Sequence, residues 1–179
     1  MIRQVAPDLN IGLELADEWH VDFIDDVTQR WYSSRQYGIA PAVGDVDRAV
    51  ATTERGVSKL YVVAPEQVRQ GIVQVLADKG LRRRLSLTSS GEDMLEIMAA
   101  GVNKGAALHA VATLLGIPPA QVMALGDGLN DIPLLRQAGL GIAMANAPEP
   151  VRLAARIVAG PNTADGWASA VEKYVLAAV

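Results

Sequence analysis

The stretch LGDGLNDIPLL, residues 125–135, decides how the chain is read. Two acids and an amide, Asp127, Asn130 and Asp131, stand around a glycine turn between the apolar run VMALG and a stripe formed by Ile132, Leu134, Leu135 and Ala138. That stripe follows helical spacing, whereas a β-hairpin turn would be followed by alternation. A calcium loop is excluded because the acids do not recur at alternate positions and no closing glutamate follows. If VMALG is a buried parallel strand, Asp127 sits at its carboxyl end, where open α/β sheets keep their ligand crevices. Two carboxylates and an amide are hard oxygen ligands suited to magnesium, which keeps several waters and shares its shell with phosphate.

Working outward from this loop, the pattern from Asn103 onward is regular. A helix KGAALHAVATLLG is capped by Asn103 and ends at Gly116, followed by strand VMALG, helix DIPLLRQAG, strand LGIAMA, helix APEPVRLAA, a short strand RIVAG and a final helix from about Gly166. Such alternation implies a parallel sheet flanked by helices. The first half mixes strands WHVDFI and SKLYVVA with helices VDRAVATTE, capped by Asp45, and EQVRQGIVQVLADKG, opened by Pro65 and stopped near Gly80. LSLTSSGEDMLEIMAAG reads as a hairpin turning at Ser90 to Asp93. The expected organisation is an α+β part over residues 1–99 and a parallel α/β part over 100–179.

Composition narrows the function classes. With 16 basic and 20 acidic residues among 179 and a net charge of −4, no broad basic footprint serves nucleic acid or an anionic membrane surface. Arg82, Arg83 and Arg84 form a short run after a glycine stop and read as a solvated turn. No cysteine is present, so the chain has neither disulfides nor thiolate metal sites, and a cytoplasmic location is the default expectation. No apolar run approaches the roughly 18 residues of a membrane span. His20 and His109 have no partner at metal-ligand spacing.

GDGLND at 126–131, with GVNKG at 101–105 upstream and GIAMANA at 141–147 downstream, resembles the magnesium-dependent phosphatases of the haloacid dehalogenase superfamily, and within it the Cof-type branch of sugar-phosphate phosphatases. The resemblance implies a partial Rossmann-like parallel core half with an α+β cap domain. It implies that Asp127 ligates Mg2+, that Asp131 holds it directly or through water, and that Lys104 neutralises phosphoryl oxygens as a catalytic group. Asn130 and Asn146 would lie on the substrate side. The cap cluster Arg30, Trp31, Tyr32, Arg35 and Tyr37 either faces a sugar phosphate, with Arg35 as the binding group, or simply packs the cap.

One family element is missing from these 179 residues. Such enzymes carry an apolar strand ending in D-x-D-G-T, whose first aspartate attacks phosphorus, and the only D-x-D here is Asp45 and Asp47, where Asp45 reads as a helix cap. The expectation is a chain catalytically weak or inert by itself, with an open, aggregation-prone strand edge at VMALG covered by a second copy, by a complementing chain or by a rearranged N-terminal segment. The alternatives are one subunit of a two-chain phosphatase and a non-catalytic module binding a phosphorylated ligand or a protein. The expected ligand is a small phosphorylated metabolite, with hydrolase preferred to phosphomutase by analogy alone.

Overall fold

Strand β4 (Val57–Val63) is the centre of the first half: it lies between β1 (Ile11–Leu15) and β6 (Met94–Ala99), antiparallel to both. With β2 (Glu18–Val21), β3 (Ala42–Val43) and β5 (Leu85–Thr88) these make a six-stranded sheet in the order β3-β2-β1-β4-β6-β5. In this computed structural model, residues 1–15, 18–34, 40–54, 56–91 and 93–177 are described, and the chain divides into two compact units, Met1–Ala100 and Gly101–Val179.

In the first unit the register places Leu13 beside Leu60 and Leu60 beside Ile97, with Ile11 beside Val62 and Val62 beside Leu95. Because side chains alternate across a sheet, these all fall on one face. There they form a core with Val46 of α3 (Val46–Thr52) and with Ile72 and Leu76 of α4 (Glu66–Asp78). The short helix α1 (Ile2–Val5) packs at its border through Ile2 and Val5. The other face carries Trp19, Val21, Tyr61 and Met94. On it Lys59 Nζ sits 2.9 Å from Glu14 and 3.1 Å from Glu96, tying three neighbouring strands by charge. Helix α2 (Asp26–Ser34) is started by Asp25, whose Oδ1 accepts from Thr28 N–H at 2.7 Å.

Three strands differ from the expectation, one of them the two-residue edge strand β3, which pairs parallel with β2 just after Pro41. IGLEL forms β1, although no strand is expected there: Gly12 weakens the local preference, yet Ile11, Leu13 and Leu15 alternate into the core. WHVDFI ends as a strand at Val21, because Asp22 turns its carboxylate inward. It accepts from the N–H groups of Ile11 and Val46 at 3.1 and 3.2 Å and from Arg3 at 2.8 and 2.9 Å. Asp45 caps α3 by accepting from Asp47 and Arg48 N–H, and α4 starts after Pro65.

The second unit holds β7 (Met123–Gly126), β8 (Leu140–Ala143) and β9 (Ile157–Val158) as a parallel sheet in that order. They are joined by α6 (Ile132–Gln137) and α7 (Glu149–Ala154), and α8 (Gly166–Val171) follows β9. Leu135, Ala143, Ala147 and Val151 form the core between strands and helices. A Cβ at Gly141 would stand 2.1 Å from the Leu135 carbonyl oxygen, so only glycine lets β8 approach α6. Among the described residues β7 has one strand neighbour, β8, and its other edge is open. Helix α5 (Lys104–Leu114) is apolar on nearly every side, a composition usual for a buried helix, yet Leu114 is 85% and Val111 55% exposed. Among the described residues no helix is long and apolar enough to cross a membrane.

Two substitutions test this packing in the first unit. Asp45→Ala should cost about 1 kcal/mol by removing the α3 cap. Gly12→Ala should cost about 1–3 kcal/mol, because a Cβ there would lie 2.0 Å from the Tyr61 ring. Urea unfolding followed by circular dichroism reads both, and a Gly12→Ala midpoint equal to the parent's would contradict the register.

Candidate active site

All the geometry below lies within the second unit. Gly101, with φ +83°, turns the chain in a left-handed conformation that glycine tolerates, and Asn103 then caps α5 by accepting from Ala106 N–H at 2.9 Å. Lys104 is thereby placed in the first helical position. Gly105 sets the depth of this helix: a Cβ there would be 2.6 Å from the carbonyl oxygen of Pro133, so α5 and α6 touch where their first turns meet. From that position Lys104 Nζ reaches Asp131 Oδ1.

Asp131 closes the loop after β7. Its Oδ2 accepts from the backbone N–H groups of Asp127 at 3.0 Å and Gly128 at 2.9 Å, while Oδ1 takes Lys104. The carboxylate is buried, and Lys104 is half-exposed. Gly126 must be glycine, since a Cβ would lie 2.5 Å from Asp131 Cβ. Burial by itself raises the Asp131 carboxyl and is its largest single influence. The Lys104 hydrogen bond, the Gly128 N–H, the Lys104 charge and the Asp127 N–H together outweigh it and hold the group below the usual carboxylate range.

Asp127 is left exposed at the end of β7, its Oδ2 accepting from Asn146 Nδ2 at 3.3 Å. Asn146 stands in the turn after β8, and its Oδ1 accepts from Asn162 N–H at 3.0 Å. The structure thus brings Lys104, Asp127, Asp131 and Asn146 into one bonded set. Asn130 stays in the same loop, standing over Gly128, where a Cβ would be 2.7 Å from its Oδ1. Arg35, with the side chains of Trp31, Tyr32 and Tyr37, lies outside the described residues. Asn162 is not singled out by sequence reasoning. Its only signal is the turn composition of GPNTADG at 160–166, because the contact is made by the backbone and not by the side chain.

The donor set can be tested against the expected cation. Among the described residues no group of three or more acids or histidines converges to hold a metal. Two carboxylates flank the loop, and Asp131 has both oxygens engaged, whereas Asp127 Oδ1 has no hydrogen-bond partner among the described residues. One open carboxylate beside a lysine fits a hard cation that keeps its waters and shares a phosphate, and does not fit an all-protein cage.

Comparison with known proteins agrees with this architecture. The family model described as haloacid dehalogenase-like hydrolase matches residues 28–171. The chain belongs to that family. It is 41% identical over 103 residues to the 5-amino-6-(5-phospho-D-ribitylamino)uracil phosphatase YcsE of Bacillus subtilis, a match spanning 58% of this chain and 41% of that protein. The crystal structure of SMU.1108c from Streptococcus mutans is 28% identical with a TM-score of 0.79, covering 98% of this chain and 64% of that one. The sugar phosphatase BT4131, of haloacid dehalogenase subclass IIB, shares the fold at 19% identity and a TM-score of 0.80, with coverage of 97% and 63%. The chain spans less than two thirds of the length of each of these proteins.

The Asp131 anchor has a pH signature. A carboxyl lowered in the folded state contributes stability that is fully present above its unfolded value, about 3.9, and lost as pH falls through its lower folded value. Asp131→Asn should therefore cost about 1.5–3 kcal/mol at pH 7, the range for hydrogen bonds to a charged group. The gap to the parent should shrink below about pH 4. Chemical unfolding at pH 7 and pH 3 measures it, and a gap that is the same at both values would contradict the assignment.

Proposed function

We propose that this chain is the cap and C-terminal core half of a magnesium-dependent phosphohydrolase acting on a small phosphorylated metabolite such as a sugar phosphate. The observation that carries the reading is the joining of Lys104 and the Asp127 loop through buried Asp131, at the carboxyl end of a parallel strand. The relative from Bacillus subtilis, named for a phosphorylated ribitylamino-uracil, supports a phosphate ester of a small molecule as the substrate class. Residues 1–99 are assigned as the cap and 100–179 as the core half, with a cytoplasmic setting as the fitting one for a cysteine-free chain of this kind.

In this mechanism Asp127 would hold the cation through its open oxygen, while Asp131, with both oxygens engaged, shapes the loop. Bound magnesium supplies Lewis-acid polarisation of the phosphoryl group. Lys104, half-exposed and tied to Asp131 by one of its three N–H donors, directs its charge to the phosphoryl oxygens, which repel an attacking carboxylate unless neutralised. Asn130, in the loop after β7, would face the substrate phosphate, while Asn146, in the turn after β8, holds Asp127. The nucleophile is assigned to an aspartate outside these residues. Asp45 caps α3 and Asp47 receives Arg3 Nε at 2.8 Å, so the one D-x-D of the sequence serves structure. The open edge of β7 and the exposed face of α5 suit the strand and helix that would bring that aspartate, whether from the same polypeptide or from a complementing chain; a second copy of this chain could cover the edge but would not supply the aspartate.

The purified 179-residue chain should barely hydrolyse a generic phosphate monoester in magnesium, and adding a polypeptide bearing an apolar-strand D-x-D-G-T half should restore turnover. In the restored enzyme Lys104→Ala and Asp127→Ala should each lower the rate by about 10² or more, the scale of one lost preorganised electrostatic group. A robust magnesium-dependent rate from the chain alone, abolished by Lys104→Ala, would overturn the external nucleophile. Tight binding of a phosphate ester without turnover after complementation would favour a non-catalytic module.

A further inference from the structure

We infer that the loop 160–166 is a positioning strap for Asp127, acting through the side chain of Asn146; this rests on the magnesium reading above and adds to it the device that aims the carboxylate. The sequence reading places Asn146 among substrate-binding residues; the residue is exposed, yet both of its polar side-chain atoms are bonded within the protein. Oδ1 accepts from Asn162 N–H at 3.0 Å, and Nδ2 donates to Asp127 Oδ2 at 3.3 Å. An amide whose oxygen is fixed by a backbone donor must present its NH2 on the other side. The bond to Asn162 therefore dictates that a donor, and not an acceptor, faces the carboxylate. With Oδ2 held, Oδ1 is the oxygen left to a cation.

The strap is built to hold that N–H still. Gly166 N–H and Ala164 N–H both donate to Pro161 O at 3.1 Å, closing the loop on itself. Asp165 takes a left-handed conformation, φ +50° and ψ 31°, and is the one described non-glycine residue with positive φ. Gly160 and Gly166 pack backbone to backbone: a Cβ on Gly166 would stand 2.1 Å from Gly160 O. Ala145 N–H donates to Gly160 O at 3.4 Å, so the strap is also tied to the residue next to Asn146. A strained, doubly closed loop of this kind persists when its surroundings over-determine it, and here its outward product is one oriented N–H. Partners that orient a metal ligand are typically worth about 10-fold to 100-fold in affinity. Asn146 is thus a positioning residue, one step removed from the reacting atoms.

The prolines make a clean test possible. Asn162 is the first residue of a short 3₁₀ turn, and Pro161 before it is extended at ψ 158°, so Asn162→Pro suits the backbone and removes only the N–H. Asn162→Ala keeps the N–H and changes the side chain. In the metal-free chain, NMR couplings of the Asp127 β-protons should report one χ1 rotamer in the parent and in Asn162→Ala, and averaged rotamers in Asn146→Ala and Asn162→Pro. Calorimetry with magnesium chloride alone should show affinity about 10-fold weaker in the latter two, with no binding heat in Asp127→Asn. Unchanged Asp127 couplings in both Asn146→Ala and Asn162→Pro would overturn the strap, whatever magnesium does. Magnesium binding by Asp127→Asn as tight as the parent's would instead overturn the metal reading, and the couplings would still decide the strap.

Discussion

One buried carboxylate organises the second unit. Asp131 receives Lys104 on one oxygen and the N–H groups of Asp127 and Gly128 on the other, so the end of β7, the start of α6 and the first turn of α5 meet on a single side chain. A buried charge with these three donors is held; with any one missing, a low-dielectric site would be left with an under-satisfied anion. The neighbouring glycines follow from it. Gly126 and Gly105 are the positions where a Cβ would push Asp131 or Pro133 away from this meeting point. Asp127 is then exposed because Asp131 is not: the loop that buries one carboxylate turns the next one outward.

Much of this was legible in the residues. The alternation after Asn103, the caps at Asn103 and Asp45 and the hairpin from Leu85 to Ala99 each have a local chemical cause that a sequence displays, whereas the grouping of GDGLND with Lys104 came from the family resemblance. What stayed hidden is non-local. Strand β1 is specified by pairing with β2 and β4 on either side, which rescues a stretch weakened by Gly12. The end of β2 depends on Asp22 meeting Arg3 and two backbone N–H groups that lie far away in sequence. The contact of Asn162 with Asn146 is made by a backbone N–H, which no residue type announces.

The same unit shows what the chemistry still requires. Among the described residues β7 has one strand neighbour and Val111 and Leu114 of α5 are exposed, so the unit presents both unpaired backbone groups and apolar surface. In the proposed function Lys104 and Asp127 would supply positive charge and a cation ligand for a phosphate, and neither would act as the nucleophile. On that proposal a single strand that pairs with β7 and carries the attacking carboxylate would meet both needs.

The most direct measurement is a crystal structure of the chain soaked with manganese, a magnesium substitute whose anomalous scattering locates it without ambiguity. The account predicts a single strong peak bonded to Asp127 Oδ1, with Asp127 Oδ2 still on Asn146 and Asp131 still on Lys104. A peak bonded to Asp131 in place of Lys104, or no peak at Asp127 at saturating manganese, would contradict it.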